Sequence, residues 1–359
     1  MKREDARVDG ILVVDKPVGP TSHDVVALVR RLAGTRKIGH GGTLDPFATG
    51  VLPLYLGSGT RVVEFHLGAR KAYRATVVFG GSSTTDDLEG EITPAEAAPP
   101  TRDAVEAALG GLRGLQEQRP PAFSARKVGG RRAYALARRG ETPELKPRTV
   151  TFHELTLTGW DETNPEHPTA VLDVACSAGT YVRALARDLG QAVGSAAYLG
   201  ALRRTASGPF TLADAHPLDE VRSAAAEERL AGLLLPPGAG LDDLPALTLA
   251  AAEQRVVAHG GWTGRVERLG AAGEGIEVGR VVRLLAPSGA LAAIARVAEG
   301  GRLVTDKVLL DREAPVRDGG AERGVDTTAL DEGGATPREA ESTPEAGKTA
   351  PDEGDATGA

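Results

Sequence analysis

Gly39-His40-Gly41-Gly42-Thr43-Leu44-Asp45-Pro46-Phe47-Ala48-Thr49-Gly50 sets one carboxylate in a glycine-dense loop that breaks any helical or strand period. Glycine lets the backbone come close to a ligand and visit positive φ, while Pro46 biases Asp45 out of helical geometry. Such a loop can present Asp45 in one orientation. An Asp-Pro pair also opens ordinary turns, and spacing alone does not separate the two readings. Upstream, Ile11-Leu12-Val13-Val14-Asp15 reads as a short strand, closed by Lys16-Pro17 and a turn through Gly19-Pro20. A helix follows, with Thr21 or Ser22 as N-cap, Val25, Val26, Leu28, Val29 and Leu32 as its apolar face, and Gly34 at its stop.

Downstream, residues 51–56, 73–79 and 171–176 are strand-like, and residues 103–112, 133–139 and 181–189 helix-like. Strands and helices mix without a regular βαβ alternation, which points to an α+β fold. Pro236-Pro237-Gly238 marks the end of this body, placed at residues 1–240. A β-rich segment over 245–311 follows, beginning with a helix at 249–259 and continuing as strands at 281–285, 291–297 and 303–308. From Glu313 to Ala359 the chain has almost no large apolar residue, so a disordered acidic tail is expected.

The 359 residues carry one cysteine, Cys176, which excludes an intramolecular disulfide and a multi-cysteine zinc site and suits the cytoplasm. No apolar run is long enough for a membrane span, and the N-terminus has no signal-peptide pattern. The formal charge of −7 argues against a broadly basic nucleic-acid binder. The tail, however, holds 12 acidic and 4 basic residues, a net of −8, which leaves the first 312 residues at +1. Positive charge is instead local. Between residues 119 and 148, Arg126, Lys127, Arg131, Arg132, Arg138, Arg139, Lys146 and Arg148 face only Glu141 and Glu144. With Pro120-Pro121 before it and Gly129-Gly130 within it, this segment has the composition of a mobile basic arm, and Arg30, Arg31, Arg36 and Lys37 extend the track.

The string from Gly39 to Gly50 resembles the catalytic motif of the TruB family of pseudouridine synthases. Further motifs follow in that family's order. Val14-Asp15-Lys16-Pro17-Val18-Gly19-Pro20-Thr21-Ser22 resembles its N-terminal motif, and Lys71-Ala72-Tyr73-Arg74-Ala75-Thr76 its tyrosine strand. Ser177-Ala178-Gly179-Thr180-Tyr181-Val182-Arg183 and Tyr198-Leu199-Gly200-Ala201-Leu202-Arg203-Arg204-Thr205 resemble its later active-site segments. The resemblance spans residues 10 to about 218 and continues more loosely to 311.

The resemblance implies a mixed, largely antiparallel pseudouridine-synthase sheet flanked by helices and loops, a small PUA-like C-terminal β module, and isomerisation of uridine at position 55 in the T-loop of tRNA. Asp45 is then the essential carboxylate. Tyr73 stacks on the base, Arg183 pairs with Asp45, Tyr181 lines the pocket, Leu202 packs on the uracil, and His40 fills the space of the flipped-out base. The basic arm, with Arg126, Lys127, Arg131 and Arg132, closes over the RNA. Neither a cofactor nor a metal is expected, because the reaction is redox neutral and no metal-ligand cluster is present in the sequence. No membrane and no protein partner are implied, and the expected state is a monomer. Two alternatives stay open: a guide-dependent synthase subunit, and a tRNA-binding folding factor.

Overall fold

The computed structural model describes residues 8–123, 127–128, 131–132 and 145–310. Arg126, the expected helix at 133–139 and the acidic tail at 313–359 lie outside the described residues.

The chain runs β1 (Gly10–Lys16), α1 (Ser22–Leu32), β2 (Ile38–His40), β3 (Thr49–Leu56), α2 (Val63–Leu67), β4 (Lys71–Phe79), β5 (Gly81–Ser83), β6 (Ile92–Pro94) and α3 (Arg102–Leu112). It continues with β7 (Gly114–Gln118), β8 (Lys127–Val128), β9 (Arg131–Arg132), β10 (Arg148–Asp161), β11 (Thr169–Cys176), α4 (Val182–Ala192), β12 (Ala197–Ser207), β13 (Phe210–Thr211), β14 (His216–Pro217) and α5 (Leu218–Ala226). The C-terminal segment holds β15 (Ala246–Thr248), α6 (Ala251–Ala258), β16 (Thr263–Arg265), β17 (Val281–Leu285), β18 (Leu291–Ala298) and β19 (Arg302–Val308).

One ten-stranded sheet dominates, in the order β14-β1-β3-β12-β4-β11-β10-β7, with β2 on β3 and β13 on β12. Most pairs are antiparallel; β1 with β14 and β3 with β12 are parallel. The fold is therefore α+β with a mixed sheet. Strand β4 shows why the sheet has a site on one face. Lys71, Tyr73, Ala75, Val77 and Phe79 are buried while the residues between them are less so, the period-2 alternation of a half-covered strand. The buried face meets α4, whose Leu185, Ala186 and Leu189 join the same core as Val77 and Phe79. Gly190 lets the end of α4 lie close against the start of β12, since a Cβ there would lie 2.4 Å from the Ala197 nitrogen.

Helix α1 begins in a capping box: the Thr21 hydroxyl accepts from the Asp24 N–H, and the Asp24 carboxylate accepts from the Thr21 N–H. It buries Val25, Val26 and Val29 and ends before Gly34 at φ 60°.

The second sheet, β15-β17-β18-β19-β16, has its own apolar cluster around Trp262, Val282, Leu284, Ala293 and Leu303. It also shares a cluster with the body, in which Ile294 and Leu309 pack with Ile11, Val13, Tyr55 and Phe210. Lys127–Val128 and Arg131–Arg132 pair as a short antiparallel ladder. Among the described residues no helix is long and apolar enough to cross a membrane.

Candidate active site

The loop between β2 and β3 is fixed from three directions. From β1, Lys16 is wholly buried and its Nζ donates to the carbonyls of Pro17 (2.9 Å), Pro46 (3.1 Å) and Ala48 (2.7 Å). Burial lowers its ammonium pKa to about 8, and the charge of Asp45 pulls the other way. From α1, Ser22 Oγ donates to the Leu44 carbonyl (2.9 Å) and accepts from the Leu44 N–H (2.8 Å). From β12, the buried Arg204 donates through Nε to the Val51 carbonyl (2.7 Å), through Nη2 to Gly42 (3.1 Å) and through Nη1 to Thr43 (3.4 Å). Gly50 makes this contact possible, because at φ 99° a Cβ would lie 2.2 Å from the Arg204 carbonyl oxygen.

Asp45 emerges from this loop into a cleft of about 1270 Å³, larger than the roughly 300–1,000 Å³ typical of a small-molecule pocket. Its Oδ2 stands 3.1 Å from Arg183 Nε. Arg183, at the first turn of α4, donates through Nη1 to Asp87 Oδ2 (3.0 Å) and the Thr85 carbonyl (3.1 Å), and through Nη2 to the Phe123 carbonyl (2.9 Å). One guanidinium therefore serves two carboxylates. Asp87 is 2% exposed as a side chain, whereas Asp45 keeps 37% open to the cleft. Burial raises the Asp45 pKa, Asp87 adds to the rise, and Arg183 and Lys16 oppose it. Solvent reaching the open part of the carboxylate moderates that rise.

Tyr73, 9% exposed, lines the cleft from β4, and Leu202, 8% exposed, lines it from the neighbouring β12. Burial pushes the Tyr73 phenol pKa upward, against the positive charge of Arg204. Tyr181 and His40 line the same cleft. The His40 Nδ1 accepts from the Gly42 N–H (3.3 Å), and burial, followed by the nearby Arg204 charge, lowers its pKa, so the ring is neutral at pH 7. All six site residues expected from the sequence thus border one cavity. Side-chain positions for Lys127, Arg131 and Arg132 lie outside the described residues.

Asp87, Arg204, Lys16 and Lys71 also belong to this neighbourhood and were not singled out from the sequence. Ser82-Ser83-Thr84-Thr85-Asp86-Asp87 reads as an ordinary polar turn. Only the fold, which brings Arg183 against it, gives Asp87 a buried countercharge. The acid at 86 is used similarly: Arg187, one turn along α4, donates to Asp86 (2.7 Å) and to the Arg119 carbonyl (2.9 Å). Among the described residues no group of three His, Cys, Asp or Glu is placed to hold a metal ion.

A carboxylate paired with arginine, beside an aromatic and a leucine in an open cleft, is an arrangement suited to an enzyme that acts on a planar base. Residues 30–182 match the family model for the TruB family pseudouridylate synthase N-terminal domain, and residues 183–242 match that for the tRNA pseudouridylate synthase B C-terminal domain. A curated relative from Thermobifida fusca, tRNA pseudouridine synthase B, is 46% identical over 81% of this chain and 96% of its own. The protein of the same name from Bradyrhizobium diazoefficiens is 45% identical over 70% of this chain and 74% of its own. Among solved structures, a chain of the archaeal box H/ACA sRNP Nop10–Cbf5 complex is 26% identical with a TM-score of 0.63, covering 86% of this chain and 90% of that one. The chain belongs to the TruB family of pseudouridine synthases.

Proposed function

We infer that this enzyme isomerises uridine to pseudouridine in tRNA, acting on position 55 of the T-loop, with Asp45 as its essential carboxylate. The observation that carries the reading is Asp45 itself, held toward the cleft by a rigid loop and paired with the buried Arg183. The reaction requires the C1′–N1 bond to break, the uracil to rotate while held, and a C1′–C5 bond to form, with a proton lost from C5 and one gained at N1. Asp45 assists cleavage at the ribose, and Arg183 keeps it ionised and aimed. Tyr73 and Leu202, which line the cleft from adjacent strands, hold the base between an aromatic face and an aliphatic one. The neutral His40, at the mouth of the loop, fills the gap left by the flipped nucleotide.

The arm at 119–148 and the sheet at 245–311, read as a PUA-like module, supply RNA contacts around this site. The enzyme works alone, as a monomer in the cytoplasm. Stand-alone action is favoured over a guide-dependent role by the 43–50% identity to tRNA pseudouridine synthase B proteins, against 26% to the H/ACA chain. Incubating unmodified tRNA with the enzyme and mapping carbodiimide adducts by primer extension tests the reading. A new stop in the T-loop supports it; an unchanged T-loop with the tRNA bound overturns it.

A further inference from the structure

Lys71 stands two residues before Tyr73 on β4 and on the same face of the strand. It is 7% exposed, lines the cleft and, among the described residues, donates one hydrogen bond, from Nζ to the His66 carbonyl at 3.3 Å. Among the described residues it takes part in no ion pair. The other buried cations here are occupied: Arg183 by two carboxylates, Lys16 by three carbonyls, and Arg204 by three carbonyls of the Asp45 loop. Among the described residues, the titratable groups that act on Lys71 are Arg204 from β12, Cys176 from β11 and His66 from α2. None is an anion at neutral pH, since burial lifts the Cys176 thiol to about 11. A buried ammonium with unused donors, beside a second cation, lacks the countercharge that normally accompanies burial.

We propose that the countercharge arrives with the substrate: Lys71, backed by Arg204, stabilises the uracil ring as an anion while it is detached from the ribose. The inference rests on the isomerase reading above. When the C1′–N1 bond breaks, its electron pair stays on N1 and delocalises onto O2 and O4, which are the atoms a lysine can hydrogen-bond. The ribose carbon, left electron-deficient, is the partner of Asp45. The pair then re-forms a bond from C5 to C1′; the C5 proton is lost to solvent and N1, no longer bonded to the ribose, takes one up, so that the product is an isomer of the uridine. On the isomerase reading the base enters beside Tyr73 and Leu202, in the same cleft that Lys71 lines, so negative charge developing on its carbonyl oxygens faces that ammonium. Stabilising an anion that exists only after bond cleavage lowers the barrier without tightening ground-state binding.

The test compares wild type, Lys71→Met and Lys71→Arg on a T-loop RNA carrying either uridine or 5-fluorouridine, whose base leaves more readily as an anion. Consumption of the parent nucleoside is followed in single-turnover reactions, with RNA affinity and urea stability measured alongside. The expected result for Lys71→Met is a rate at least about tenfold lower on uridine, at unchanged affinity, shrinking to within about threefold on 5-fluorouridine. Lys71→Arg recovers part of the rate. Equal losses on both substrates, or a folded Lys71→Met with wild-type rate, overturn the proposal. A loss of stability with the rate intact assigns Lys71 to capping the end of α2 and overturns it too. If Lys71→Met does not fold, Lys71→Arg decides alone, because a rate loss that does not shrink on 5-fluorouridine is incompatible with a leaving-group role. Failure of the wild type itself to consume uridine indicts the isomerase reading instead.

Discussion

Arg183 directs Nε to Asp45 and Nη1 to Asp87, and both carboxylates draw on the same positive charge. Asp87 is the more deeply buried of the two, so Asp87→Ala leaves a buried guanidinium half-compensated; the expected loss of stability is about 3–5 kcal/mol, read from urea unfolding. The fraction that still folds should turn over more slowly, because the Asp45 orientation is no longer fixed from behind. Asp45 behaves differently. Its folded pKa lies above the ordinary carboxylate value, so the folded state holds the proton more tightly than the unfolded one. The stability contributed by that proton is present below about pH 4, the unfolded value, and is lost as pH rises through the raised folded pKa. At pH 7 the ionised Asp45 therefore works against folding, and Asp45→Asn should unfold at an equal or higher urea concentration while losing activity. A marked drop in its midpoint would contradict this sign. By the same shift, the acid limb of the wild-type rate profile should lie above the range of an exposed aspartate.

The loop that carries Asp45 depends on β3 and β12 lying side by side, where Gly50 is opposite both Lys16 and Arg204. Gly50→Ala would force a Cβ against the Arg204 backbone at positive φ, so it should destabilise by more than about 1 kcal/mol and lower activity in the folded remainder. The sequence showed this loop as glycine-dense but not why Gly50 is required, since its neighbour Arg204 is 154 residues away in the chain. Strands β1, β3 and β4 were legible from apolar runs or alternation, and α1 from its cap and its stop. Strand β10 was not. Its register shifts between Phe152 and Glu154 and between Leu157 and Gly159, and each shift resets the alternation that periodicity depends on. Strand β12 was recognised as a motif rather than as a strand, because it shifts register twice and carries Arg203 and Arg204 in its middle. Of the site, residues within contiguous motifs were visible; Asp87 was not, because its role is created by burial against α4.

At the scale of the molecule, the C-terminal sheet packs on the body through Ile294 and Leu309, with Lys307 3.2 Å from Glu64 and the Arg296 guanidinium over the Phe65 ring. Ile294→Ala should cost about 2–5 kcal/mol, measured by thermal or urea unfolding, since the wholly buried side chain fills the join between the two sheets. A body carrying only +1 outside its acidic tail is expected to bind RNA through local clusters, so affinity should fall as salt rises, with a modest slope set by the few phosphates contacted. The central claim concerns chemistry, and one measurement reaches it most directly: release of tritium from C5-labelled uridine in a T-loop hairpin, by wild type and by folded Asp45→Asn. The account predicts release by wild type alone, with both proteins binding the hairpin. Binding by both without release from either, or release by both, would contradict it.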